Sequence, residues 1–419
     1  MRHLIIGNGP AGISAAITLR RIAPDDEVAI VSDEAQPFYS KVLTSYYVGG
    51  KIPYENMLLA TADQLKAEGL QLLSGKRAVK LDTSAREVVL SGDERIQYDR
   101  LLIATGAEPF IPPIEGLGAM HASPLPGVFT LWTHDDAVKL EGWTRKGNRA
   151  VVVGAGLVGL KAAEAFLMKG MSATVIEMLD RVLPLVLSKD DAAIVQRALE
   201  QRGLSIRTGI GLTRILGGDR VQQVELSDGS RLDCDVVVIA TGVRPNLALA
   251  KPAGIAFGRG ILVNEFMETN VPGIYAAGDV AEGWDLARGR KFPNPTWGNA
   301  SEQGRVAAYN MAGHKKPFRG AVTLNTFTFL GFSMAAVGVT QPEGDFLRVE
   351  KYYNPESGDY RKLIMFEDRL VGGVAAGDIR MAGVWRWLIA KKAPAASVAS
   401  ALLPGKTNFA STHGFLIGR

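Results

Sequence analysis

Short unbroken apolar runs recur along the first three quarters of the chain, each followed by a turn and most by a stretch with helical spacing. Arg2 to Ile6, Glu27 to Val31, Ala150 to Val153, Ser172 to Ile176 and Val236 to Ala240 are such runs. They read as strands buried on both faces, as in a parallel sheet, because a half-exposed strand would alternate polar and apolar positions. Helical patterns occupy Ile13 to Ile22 and the residues up to Lys169. Leu72 to Leu90 reads as two or three short strands of a hairpin-like excursion. The prolines from Pro109 to Gly116 break regular structure and mark a domain crossing. Thr and Phe alternate from 326 to 329, a period of two that predicts a strand of a different, one-sided kind. Met381, Val384, Trp385, Leu388 and Ile389 return to helical spacing, and that apolar face is expected to pack on the domain that the chain's first residues open.

Two of the strands run into glycine-rich turns. Gly7-Asn8-Gly9-Pro10-Ala11-Gly12 follows the first strand, and Gly154-Ala155-Gly156-Leu157-Val158-Gly159 follows Val153. Strand, GxGxxG turn and helix in that order form a dinucleotide-binding fingerprint. The first glycine allows the tight turn, the second lets backbone approach a pyrophosphate, and the third lets helix pack on strand. Free N–H groups at the helix start then face the phosphates. An acid about 20 residues on is the expected ribose acceptor. Glu34 lies 22 residues after Gly12, with Asp33 as the alternative; Glu177 lies 18 residues after Gly159. A carboxylate at 177 repels a 2′-phosphate, and Met178 and Leu179 beside it offer no cation, so NADH is favoured over NADPH. Two further strands end in Ala-Thr-Gly, at Ala104-Thr105-Gly106 and Ala240-Thr241-Gly242. Gly273 to Asp279 delivers Gly278 and Asp279 to the carboxyl end of a strand, where ligands of doubly wound sheets lie, and Trp297 opens a helix.

Composition changes this picture mainly by exclusion. With 419 residues, two or three domains are expected; 47% hydrophobic and 21% charged residues make the chain globular. The net charge of +4 and pI near 9.0 are too weakly basic for nucleic acid and suit an acidic protein partner. Cys234 is the one cysteine and the five histidines are scattered, so no disulfide, internal redox pair or metal site is expected. The first apolar run ends in a glycine turn after a few residues, unlike a leader peptide. The uncharged stretch Gly320 to Pro342 holds Asn325 and several threonines and reads as strand, not membrane helix. A cytoplasmic location is expected.

Two fingerprints, two Ala-Thr-Gly turns and Ala-Ala-Gly-Asp, in this order, resemble the FAD-dependent pyridine-nucleotide-disulfide oxidoreductase-like flavoproteins. The resemblance implies an α/β fold of two Rossmann-like domains, glutathione-reductase-like, with the NAD domain (115–241) inserted into the FAD domain (1–114 and 242–320). A small α+β C-terminal domain (321–419) follows. It implies that Gly7, Gly9, Pro10, Ala11, Gly12 and Asp33 or Glu34 hold the ADP half of FAD, and that the backbone at Val79 meets the adenine. Ala104, Thr105, Gly106, Thr241, Gly242 and Gly278 would line the cofactors. Asp279 would take a ribityl hydroxyl, and the helix from Trp297 would aim its N-terminus at the isoalloxazine. Gly154, Gly156, Leu157, Val158, Gly159 and Glu177 would hold NAD(H).

Thiol-using members carry a cysteine where Val42 stands here, so disulfide and thiol-peroxide chemistry are excluded. Pro37-Phe38-Tyr39-Ser40-Lys41-Val42-Leu43 instead resembles the thiol-free branch of rubredoxin and ferredoxin reductases and the FAD module of nitrite reductase. Lys41 falls at its cationic position beside the flavin, where it would stabilise negative charge on the reduced ring. Lys161 replaces a glutamate that holds the nicotinamide carboxamide in many relatives, and Glu164 is the candidate substitute. Hydride transfer to flavin N5 and onward transfer to an iron–sulfur, ferredoxin- or rubredoxin-type one-electron carrier are therefore expected. A place as the FAD- and NADH-handling subunit of a larger iron–sulfur enzyme, such as one resembling phenylglyoxylate dehydrogenase or another 2-oxoacid oxidoreductase, is a second reading. A thiol-free NADH oxidase or quinone reductase is a third, and a non-enzymatic flavoprotein the last. From Ile379 to Arg419 the chain has Arg380, Arg386, Lys391, Lys392, Lys406 and Arg419 but no acid, a one-sided charge suited to docking an acidic carrier or a neighbouring subunit.

Overall fold

The apolar run at the start of the chain becomes the middle strand of a parallel sheet. In the computed structural model, which describes residues 1–117, 125–342, 344 and 346–395, strand Arg2–Ile6 pairs with Glu27–Val31 on one side and Arg100–Ile103 on the other. Gln71–Leu73 and Ile274–Ala276 complete five parallel strands. Leu4, Ile5, Leu101, Leu102 and Ile103 are at most 1% exposed, which is why the run has no polar alternation. Gln71–Leu73 departs from the expected excursion: Leu72 and Leu73 pair with Ile30 and Val31 and extend the buried sheet. The excursion proper is the antiparallel meander Ala78–Asp82, Glu87–Leu90 and Arg95–Gln97.

A second sheet repeats this plan. Its parallel order is Val128–Phe129, Val236–Ile239, Arg149–Val153, Ser172–Glu177, Ser205–Thr208, with the fingerprint strand again in the middle. Helices Pro10–Ile22 and Leu157–Met168 follow the two glycine turns. This sheet too has a meander, Leu212–Gly217, Val221–Leu226 and Arg231–Asp233.

The chain crosses between the two halves just after each Ala-Thr-Gly. Ala107–Pro109 and Val243–Pro245 pair antiparallel at these crossings. Each crossing is tied to the other by a hydroxyl: Thr105 Oγ1 donates to the Asn246 carbonyl at 3.0 Å, and Thr241 Oγ1 to the Phe110 carbonyl at 2.5 Å. Both threonine hydroxyl protons are thus donated across the crossings.

The Thr/Phe alternation opens an antiparallel sheet ordered Leu324–Phe329, Phe332–Gly338, Arg369–Ala376, Asp359–Phe366, Leu347–Asn354. Phe327 and Phe329 are buried while Thr326 and Thr328 are exposed, as the period of two requires. Helix Ala382–Lys391 buries Trp385, Leu388 and Ile389 against Ala335, Val337, Leu363 and Ala375 of this same sheet. The expectation that this face packs on the first nucleotide domain is therefore corrected. The reason is local: a Cβ at Gly373 would lie 2.8 Å from Trp385 Cε3, so the glycine opens the sheet surface to the indole.

The chain forms two compact units. One comprises the described residues of Met1–Met178, Leu204–Asp285 and Arg290–Ala321; the other comprises Leu179–Gly203, Leu286–Gly289 and the described residues from Val322 on. Helix Lys189–Glu200 joins the second unit through Asp191, which is fully buried, pairs with Lys362 Nζ and accepts from Tyr360 Oη at 2.5 Å. No helix among the described residues is long and apolar enough to cross a membrane.

Candidate active site

The glycines of each fingerprint divide into two kinds. A Cβ at Gly7 would sit 2.1 Å from the Ala104 carbonyl oxygen, and one at Gly12 would sit 1.9 Å from that of Gly7. The second turn repeats this: 2.3 Å from Gly154 to Ala240 O, and 2.0 Å from Gly159 to Gly154 O. Gly7 and Gly154 also have φ of +113° and +108°, which L side chains rarely adopt. Gly9 and Gly156 are different, since a Cβ there would meet nothing within 4 Å. Both are helix N-caps without a side chain, so no capping side chain satisfies the first N–H groups of helices Pro10–Ile22 and Leu157–Met168. Open backbone at an uncapped helix start suits a pyrophosphate, and both turns offer it.

The ribose acids differ between the halves. Ile6 pairs with Val31 and Val153 with Ile176, so Ser32 occupies the place that Glu177 occupies in the second half. Glu177 is 9% exposed and accepts from the Ala155 N–H at 2.8 Å, which anchors the carboxylate on the fingerprint turn. In the first half, Ser32 Oγ donates to Asn8 Oδ1 at 3.0 Å instead. The acid is displaced along the chain. Asp33 is exposed, 3.7 Å from Arg77 Nε, whereas Glu34 pairs with Lys41 Nζ at 2.6 Å and accepts from Tyr39 Oη. Of the two candidates, Glu34 is committed to its own segment.

That segment, Pro37 to Gly50, lies across both halves. Tyr39 accepts from the His134 N–H at 2.8 Å, and burial followed by the Glu34 charge holds its phenol well above the ordinary range. The Tyr54 ring lies 4.6 Å from the His134 ring, and Lys41 Nζ lies 5.5 Å from the centre of Trp132. Helix Thr44–Val48 meets the second fingerprint helix, where a Cβ at Gly49 would contact Ala165 Cα at 3.3 Å. At this contact Glu164, 3% exposed, pairs with Lys161 and lies 3.6 Å from Lys51 Nζ. Both ammonium groups lie over the Tyr46 ring, at 4.4 and 5.1 Å. Glu164 and Lys161 are therefore partners of each other. Trp132, His134, Tyr54, Tyr46 and Lys51 escaped the sequence reading. The aromatic density of 38–47 is a signal that this segment packs on something, but nothing local names its partners.

At the other wall, Asp279 follows Gly278, whose φ is +82°. Burial pushes the Asp279 carboxyl up to about 6 against the opposing pull of Lys41, and no hydrogen bond reaches it among the described residues. A partly buried carboxylate without a donor fits a ligand hydroxyl. Helix Trp297–Met311 starts at Thr296 with no side-chain cap, and Trp297 packs on Phe38 at 5.8 Å between centroids. Gly304 lets this helix close on Pro10–Ile22, since a Cβ there would come 2.1 Å from Ala11 O. Val79 is 53% exposed, and Gly106 and Gly242 have open space where a Cβ would be. Val42 is 65% exposed; Cys234 is buried in the core of the second half, where burial pushes its thiol up to about 12. Lys406 and Arg419 lie outside the described residues.

Two nucleotide cradles joined by a double crossing define a two-dinucleotide flavoprotein. The family model for pyridine nucleotide-disulphide oxidoreductase matches residues 1–304, and the chain belongs to this family of FAD- and NAD(H)-dependent oxidoreductases. It is 33% identical to an NADH oxidase of Methanocaldococcus jannaschii over 91% of this chain and 89% of that protein. It is 32% identical to the NADH-dependent phenylglyoxylate dehydrogenase subunit epsilon of Aromatoleum evansii, over 89% and 87%. The match to a Bacillus subtilis nitrite reductase is 30% identical over 90% of this chain but spans only 45% of that protein. Among solved structures, putidaredoxin reductase in covalent complex with putidaredoxin superposes with a TM-score of 0.91 at 25% identity, covering 100% of this chain and 99% of the other.

Proposed function

We propose that the protein is an NADH:acceptor oxidoreductase that passes electrons through FAD to an iron–sulfur, ferredoxin- or rubredoxin-type carrier. One observation carries this reading: the segment between the two cradles has an exposed Val42 and no thiol, and Cys234 is buried and held protonated elsewhere. Electrons delivered by NADH then have no residue of the chain to receive them and leave for an external acceptor. FAD, when bound, supplies acceptance of two electrons from NADH and their release one at a time.

In this reading the open backbone at Gly9 and Gly156 takes the two pyrophosphates. Glu34, with Asp33 as the alternative, takes the FAD ribose through the acceptor sites left beside its contacts to Tyr39 and Lys41. Glu177 takes the adenosine ribose of NADH and disfavours NADPH. Asp279 accepts from a ribityl hydroxyl, and Lys41 supplies positive charge at the reduced ring. Lys161 and Glu164 act together at the nicotinamide end. The functional division is 1–114 with 242–320 for FAD, 115–241 for NAD(H), and 321–419 for contacts with other chains. Arg386, Lys391 and Lys392, all exposed, dock the acidic partner or a neighbouring subunit. The likeness to putidaredoxin reductase and to the phenylglyoxylate dehydrogenase subunit supports an electron-carrier partner, free-standing or within a complex, and a cytoplasmic setting fits both.

The test is anaerobic: NADH should bleach the flavin absorbance of the purified protein faster than NADPH, and adding a ferredoxin or rubredoxin should restore it. Absence of bleaching by either nucleotide would overturn the enzyme reading. Bleaching reversed by oxygen or quinone alone would favour the NADH oxidase alternative.

A further inference from the structure

Strands Ala281–Asp285 and Arg290–Pro293 form a hairpin in the first unit whose surface is unusually cationic. The Arg259 and Arg290 guanidinium groups lie 5.0 and 5.8 Å from the centre of the Phe292 ring. Across the hairpin, Lys291 is paired in register with Trp284, which is 45% exposed. All three cations are exposed, and none of them has a carboxylate within ion-pair distance among the described residues. Of the two acids of this sheet, Asp285 is fully buried opposite Arg290, and Glu282 spends an oxygen on the Arg259 and Gly260 N–H groups. Guanidinium groups stacked on a ring lose little freedom on binding and present their N–H forks outward, the arrangement suited to carboxylates.

The hairpin also has a position that matters. Its last residue, Pro293, is four residues before Trp297, so at most roughly 14 Å of chain separates it from the helix start assigned to the flavin. We propose that Arg259, Arg290 and Lys291, with Trp284 and Phe292, form a docking surface for an acidic one-electron carrier protein that receives electrons from this site. The inference rests on the acceptor reading above. It names a surface on a different element from the C-terminal cations, and the two sets are tested separately.

The holoenzyme variant Arg259→Glu/Lys291→Glu is compared with wild type in two assays, NADH:ferricyanide reduction and NADH-driven reduction of a purified acidic [2Fe–2S] ferredoxin and of a rubredoxin, each across an ionic-strength series. The expected result is unchanged ferricyanide turnover, with KM for the carrier raised on the order of tenfold and its salt dependence flattened. Arg259→Gln/Lys291→Gln, which removes charge without reversing it, should fall between the two and covers failure of the reversed variant to fold. Carrier reduction by both variants equal to wild type would refute the docking surface while leaving the acceptor reading intact. Loss of ferricyanide turnover in the Gln variant would refute it as well, by showing an effect on the site itself. A wild type that reduces ferricyanide but neither carrier would overturn both. Salt-sensitive retention on duplex DNA that the variants lose, with carrier reduction unaltered, would reassign the surface to nucleic acid.

Discussion

The two kinds of fingerprint glycine make a sharp prediction, because the same substitution should fail for opposite reasons at positions two residues apart. At Gly154, alanine puts a Cβ 2.3 Å from the Ala240 carbonyl oxygen at φ +108°. Left-handed strain of about 1–2 kcal/mol and overpacking of about 1–3 kcal/mol act together, so the loss should be about 2–5 kcal/mol. At roughly 2–4 °C per kcal/mol for a unit of this size, Tm should fall on the order of 10 °C. At Gly156, the backbone is extended, at φ −77° and ψ −179°, and a Cβ meets nothing within 4 Å. Replacing an N-cap glycine by alanine costs about 1 kcal/mol at most, so Tm should barely move. The methyl group would instead occupy the space open to the NADH pyrophosphate and raise the KM for NADH at least about tenfold, or about 1.4 kcal/mol. Flavin content, read from visible absorbance, should be normal in Gly156→Ala. Thermal unfolding of both variants and NADH titration of the second suffice as assays. A Gly156→Ala protein that binds NADH like wild type, or a Gly154→Ala protein of unchanged Tm, would refute the division.

Further outcomes follow from the same geometry. Glu177→Ala should raise KM for NADH by roughly 10- to 100-fold, the range of hydrogen bonds to a charged acceptor worth about 1.5–3 kcal/mol, and leave NADPH much less affected; steady-state kinetics with both nucleotides checks this. Asp279 has a folded-state pKa raised to about 6, so the folded chain holds a proton that the unfolded chain has lost between about pH 4 and 6. In flavin-stripped protein this group should therefore lower stability by up to about 3 kcal/mol as pH rises through that window, and denaturant midpoints of Asp279→Asn should lack that decline. Lys362→Ala leaves Asp191 buried without its cation and should destabilise the second unit by about 3–5 kcal/mol, whereas Lys362→Met with Asp191→Leu should recover most of the loss in urea titrations. Reversing Arg386, Lys391 and Lys392 to Glu should raise KM for an acidic carrier and weaken its salt dependence while ferricyanide turnover stays constant; an unchanged carrier KM would remove the C-terminal helix from the docking site.

Much of the fold and part of the site are legible along the chain because their causes are local. The apolar runs at Leu4 to Ile6 and Val151 to Val153 report burial on both faces. The glycines at 7, 12, 154 and 159 report backbone that cannot carry a Cβ, and Glu177 lies where a strand end must put it. Val42, set against the cysteine that thiol-using members carry there, and the burial of Cys234 together argue against thiol chemistry. What the tertiary structure decided depends on residues far apart in the chain. Ser32 is seen to stand in for Glu177 only when the two sheets are laid in register, and Thr105 and Thr241 are seen to donate across the crossings only when residues 141 and 131 positions away close on them. Lys362 and Asp191 are 171 residues apart, and Lys362 would read as an exposed cation in a one-sided strand. Local sequence encodes torsion and burial, which each residue carries with it. Partners for charge and hydroxyl groups are assigned by whichever distant segment folding brings into reach.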